Sequence, residues 1–198
     1  MSFNKKRIIS IFFIVLIVII FLTVYYENHR IDNEEKIYNE IKLYVNDNYE
    51  LLESFPYSKI EEINSSKDSY ETKKQKEEEI IKNYLGKNTI VKNVYAYNEN
   101  ILQFYCVGEG FLDTGTYTGF YFSKEDTPFT FEFGDSVALV EISPGIFEGQ
   151  DEDGVQQKHG GHKIYTEKIR DKWYYYKQYL YYCNKCSFLP ILVPLNIQ

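Results

Sequence analysis

Residues 163–182 read KIYTEKIRDKWYYYKQYLYY. Two runs rich in aromatic and β-branched side chains, 163–169 and 172–182, flank the polar pair Arg170-Asp171, which is the pattern of a β-hairpin. A turn at that pair sets the register, with opposed residue numbers summing to about 342.

The same grammar extends upstream. Residues 90–97 and 101–107 are apolar and β-branched runs divided by Asn98-Glu99-Asn100, a second hairpin. Further strands are expected at 116–123, 129–133, 136–142 and 146–149, delimited by turn-forming segments at 124–128, Gly134-Asp135 and Pro144-Gly145. Short strands in succession with short connections predict an antiparallel sheet.

Helical signals precede the strands. Asp32-Asn33-Glu34-Glu35 has a capping residue three positions before a glutamate. Ile37, Ile41, Tyr44, Asn48, Leu51 and Phe55 then form one stripe that ends at Pro56. The stripe covers too few heptads for a sustained coiled coil, so packing against the domain's own sheet is the preferred reading. Residues 56–67 read as a polar connection. Asp68-Ser69-Tyr70-Glu71 repeats the capping pattern, and Gly86 suits a C-terminal cap. Residues 73–79 are almost entirely charged, so this second helix is expected to be solvated, with only its last turns packed.

Residues 8–26 are apolar apart from Ser10 and Thr23. Nineteen helical residues cover roughly 28 Å, close to the hydrocarbon thickness of a bilayer. The run ends in Tyr25-Tyr26 without a small-residue cleavage site, which favours a retained anchor over a cleaved leader. Lys5, Lys6 and Arg7 precede it, so the positive-inside rule places residues 1–7 in the cytoplasm and residues 27–198 outside. The fold class is therefore α+β: a transmembrane helix, then an extracytoplasmic domain of two helices followed by a curved antiparallel β-sheet.

Only three of the 22 basic residues, and none of the 29 acidic ones, precede residue 27. The outer part is left with 19 basic and 29 acidic residues, a formal charge of −10. Such a domain repels nucleic acid and anionic lipid heads, so no nucleic-acid partner is expected. The expected partners are the bilayer, through residues 8–26, and an envelope protein or wall component. Abundant Ile, Lys, Asn, Tyr and Phe are what the AT-rich coding sequence of a low-GC bacterium produces, so the 20 tyrosines need no functional explanation of their own.

Two motifs fail on spacing. Gly108-Glu109-Gly110 lacks the third glycine of a dinucleotide fingerprint and is followed by a strand pattern. An EF-hand loop with Gly154 at its sixth position would start at Gly149 and end at Gly160, neither of which coordinates through a side chain.

Two constellations are retained as candidates. His159 and His162, with Cys183 and Cys186, form two short ligand pairs of the kind that chelates zinc. The hairpin register sets His159 opposite Cys183. A disulfide involving Cys183 or Cys186, or plain thiols, are the alternatives, and Cys106 makes the cysteine count odd. No cofactor other than zinc is expected. Trp173, Tyr175 and Tyr179 share one face of a strand and form a candidate stacking surface for a sugar ring or partner. No nucleophile elbow or His-Glu-x-x-His pair is present. The leading reading is a non-enzymatic binding or interaction domain; a wall-polymer hydrolase using paired carboxylates and a metal or redox sensor are the alternatives.

Overall fold

The computed structural model describes residues 3–111, 114–131, 137–150 and 160–182. The chain divides into two units, one running to Leu43 and the other starting at Tyr44.

The first unit lies within helix α1, Phe3–Asp47. The capping pattern at Asp32 does not start a new helix: residues 3–47 contain no glycine or proline to stop propagation, and the acidic cluster is absorbed into the helix. From Phe13 to Tyr25 the large apolar side chains are 40–72% exposed. This helix is long and apolar enough to cross a membrane, and none of its apolar window is buried.

In the second unit, α1 ends before Asn48, which has φ −111° and whose backbone N–H and side-chain amide both donate to the Tyr44 carbonyl, at 3.0 and 2.9 Å. Three short helices follow: α2 Tyr49–Glu53, α3 Tyr57–Ser65 and α4 Tyr70–Leu85. The expected polar connection at 56–67 is thus largely helix, because Ile60 and Ile63 are buried on one side of α3 and tertiary packing stabilises it. The anticipated stripe also rotates at its end: Leu52 is buried and Leu51 is exposed. Ser69 caps α4, its Oγ accepting from Thr72 N at 3.3 Å, and Gly86 ends it with φ +83°.

The strands are β1 Asn93–Asn98, β2 Ile101–Phe111, β3 Thr114–Ser123, β4 Val140–Ser143, β5 Ile146–Gln150, β6 Gly160–Arg170 and β7 Trp173–Tyr182. They form one antiparallel sheet in the order β1-β2-β3-β7-β6-β5-β4. Residues 129–131, expected to open a strand, are not in one, and 132–133 lie outside the described residues. In β6–β7, Lys163 faces Tyr179 and Glu167 faces Tyr175, the register expected for a turn at Asp171.

Alternation along the strands divides the core between two faces. On one, Phe104 and Phe120 stack at 4.7 Å, Trp173 lies 5.7 and 5.9 Å from them, and Phe55 meets Phe104 edge-on at 5.2 Å. Leu52, Ile60, Ile63, Ile81 and Leu85 of α2–α4 are buried, and α3 and α4 pack on β1. On the other face, Tyr121 stacks on Tyr174 at 5.1 Å. With Ile101, Ile164 and Tyr176 this pair packs against Phe129, Phe131, Val137 and Leu139 from the connection between β3 and β4.

Candidate functional site

The second face is held by a polar network. Thr166 Oγ1 donates to the Tyr175 carbonyl at 2.8 Å, so the 2.9 Å contact between Tyr121 and Thr166 has the tyrosine as donor. The Tyr121 oxygen in turn accepts from Phe129 N at 2.9 Å, and Gln178 Nε2 donates to the Phe131 carbonyl at 2.9 Å. Asp126, at φ +55°, accepts at its carboxylate from Lys168 Nζ at 2.5 Å and Lys172 N at 2.7 Å, and the Tyr174 hydroxyl lies 2.8 Å from its backbone carbonyl and 3.2 Å from the carboxylate. These donors, Lys168 first, hold its carboxyl below the ordinary 3.8.

A depressed folded-state pKa stabilises above the unfolded value, and that contribution is lost as pH falls through the folded value. Asp126→Asn is expected to cost about 1–2 kcal/mol at neutral pH, and less than the full buried-pair value because the ion pair is a third exposed. The difference from wild type should shrink as the pH falls to about 3. Thermal unfolding of both chains at the two pH values checks this.

Of the candidate stacking residues, Trp173 is 1% exposed and Tyr175 is buried, while Tyr179 is half-buried. Phe104, Phe120 and Phe122 surround the Trp173 ring, and Tyr165 lies 6.1 Å from Tyr175. Trp173 and Tyr175 are therefore engaged as core.

For the zinc candidate, His162 stands opposite Leu180 in the β6–β7 register, and Gly160 opposite Tyr182. His159, Cys183 and Cys186 lie outside the described residues. Among the described residues no three His, Cys, Asp or Glu side chains gather as a metal-ligand group. Cys106 is a buried free thiol whose pKa is pushed up by that burial, which keeps it the protonated, unreactive form.

An open polar groove of about 590 Å³ lies where α1 passes into α2, lined by residues 46–51 and Arg170. The Arg170 guanidinium lies 3.2 Å above the Tyr49 ring, and the Tyr49 hydroxyl donates to Glu53. Asn46, Asn48, Asp47 and Glu50 give the groove amides and carboxylates beside one cation. That set can hydrogen-bond a polar ligand or a partner's polar side chains.

One buried acid was not singled out by the sequence. Glu77, expected on a solvated face of α4, is 7% exposed. It sits four residues before Ile81 and eight before Leu85, both buried, and that i, i+4, i+8 spacing was its signal.

No family model, curated protein or solved structure matches the chain.

Proposed function

We propose that the chain is a membrane-anchored, extracytoplasmic binding or interaction domain. Residues 8–26 cross the bilayer, residues 1–7 remain in the cytoplasm, and the acidic α+β domain contacts an envelope protein or wall component. The observation that carries this reading is the uninterrupted exposure of large apolar side chains from Phe13 to Tyr25, a surface that water does not tolerate and a bilayer does. Lys5, Lys6 and Arg7 support the orientation.

Two features of the domain support a binding role. The polar groove beside Arg170 is one. The other is edge strand β4, where Val140 and Ile142 are 62% and 56% exposed. Exposed apolar side chains on a sheet edge suit recognition by a partner.

Sidedness is tested with a reporter active only outside the cytoplasm, fused after Gln198 of the full chain. The fusion is expected to be active, and protease added to intact wall-less cells is expected to digest the domain. An inactive fusion with a protected domain would reverse the orientation.

A further inference from the structure

We propose that Glu77 is a proton-operated latch: the α3–α4–β1 junction holds its carboxyl as a neutral acid, and loss of that proton loosens α4 from the sheet. This device goes beyond the binding role and works whichever side of the membrane the domain faces.

The geometry begins with the helix stripe. Glu77, Ile81 and Leu85 are the buried positions of α4, so the carboxyl occupies the place of a core side chain. A buried carboxylate needs a cation or several donors, and among the described residues none forms an ion pair with it. Lys73, one turn before it on the same helix, spends its ammonium on the Asn64 backbone carbonyl at 2.7 Å. From α3 comes the Asn64 side chain. Oriented by its hydrogen-bonding partners, its amide nitrogen donates to Glu77 Oε1 at 3.0 Å and its oxygen accepts from Ala96 N at 3.1 Å. From β1 comes Tyr95, whose hydroxyl accepts from Asn93 Nδ2 at 3.1 Å. The titratable groups facing the carboxyl are thus Lys73 on its own helix and Tyr95 on the strand, with Tyr70 completing the cluster around Tyr95.

Asn64 is the mechanical part of the latch, because a single side chain joins α3, α4 and β1. It can donate to the carboxyl in either protonation state, but so little solvent and no paired cation favour the neutral acid over the carboxylate. Burial pushes the Glu77 carboxyl up to about 7, with Lys73 opposing it, and pushes Tyr95 up to about 12. A carboxyl raised from 4.5 to about 7 leaves the fold most stable below the unfolded value. Stability falls as pH rises through that window and levels off above about 7.

The test uses the full chain in detergent micelles, as wild type and as Glu77→Gln, whose amide keeps an oxygen for Asn64 but cannot ionise. At about pH 8 the variant should melt about 5 °C above wild type, and the gap should close at about pH 5. In wild type, a carboxylic-acid C=O infrared band should persist at about pH 6, where ordinary carboxyls are ionised, and vanish by about pH 8. Amide exchange over residues 73–81, corrected for intrinsic rates, should quicken across the same interval. The same melting gap at both pH values, no acid band at about pH 6, or pH-independent corrected exchange would each overturn the latch. If the variant does not fold, the infrared and exchange measurements on wild type decide alone.

Discussion

Phe104→Ala should cost about 3–5 kcal/mol, because it removes a fully buried ring and leaves a cavity that its neighbours cannot fill. The ring stacks on Phe120, meets Phe55 edge-on and lies beside Trp173. It therefore joins the helices to the middle of the sheet. Its own strand β2 is paired on both sides, Phe104 standing opposite Val94 of β1 and Phe120 of β3, so collapse of the backbone into the void is restricted. For a domain whose whole stability is on the order of 5–15 kcal/mol, the loss should appear as a large fall in melting temperature or in soluble yield. A cost below about 1 kcal/mol would show that this face is not the packed core described.

Gly119→Ala should be comparably severe for the opposite reason. A Cβ at Gly119 would overlap the Phe104 backbone carbonyl oxygen and also press on the Tyr176 ring at 2.9 Å. The carbonyl belongs to the neighbouring strand and cannot rotate away, and Tyr176 is fully buried. Relief would require β2 and β3 to separate locally, at a cost of about 3 kcal/mol or more. Gly86→Ala makes the control: it has open space but φ +83° and ψ 166°, a backbone region essentially confined to glycine, so its cost should come from backbone strain alone, about 1–3 kcal/mol, and lie below that of Gly119→Ala. Chemical unfolding of the two variants ranks them, and equal costs would contradict the close approach at Gly119.

The hairpin at residues 163–182 was legible because two runs rich in aromatic and β-branched residues flank Arg170-Asp171, so the register followed from counting about that turn. Ser69 and Gly86 were legible as helix ends because capping is local chemistry. The long helix α1 was read as two because Asp32 carries a local start signal. Helix propagation from the apolar run overrides such a signal when no residue opposes it. Helix α3 was hidden because nine residues are too few for periodicity to declare itself, and Ile60 and Ile63 acquire meaning only against the sheet. The placement of β7 between β3 and β6 depends on a long connection returning across the sheet, and no local residue pattern encodes that.

The candidate sites divide along the same line. The period of two along a strand assigns the residues of β7 to its two faces, and both carry aromatic rings. Which face is covered is a tertiary fact, and it places Trp173 and Tyr175 in the core. Glu77 was masked by its neighbours: in the charged run 73–79 a carboxylate attracts no notice until the helix phase set by Ile81 and Leu85 is followed backwards.

The central claim is that a folded α+β domain is tethered to a membrane by the helix containing residues 8–26. It is tested most directly by alkaline extraction of membranes carrying the full chain, beside a chain beginning at residue 27. The full chain should stay in the membrane pellet through high salt and alkali, as a bilayer-spanning helix requires. The shortened chain should be soluble and unfold cooperatively. Release of the intact full chain by salt or alkali would contradict the tether, because a helix lying on the surface, and not through the bilayer, gives that result.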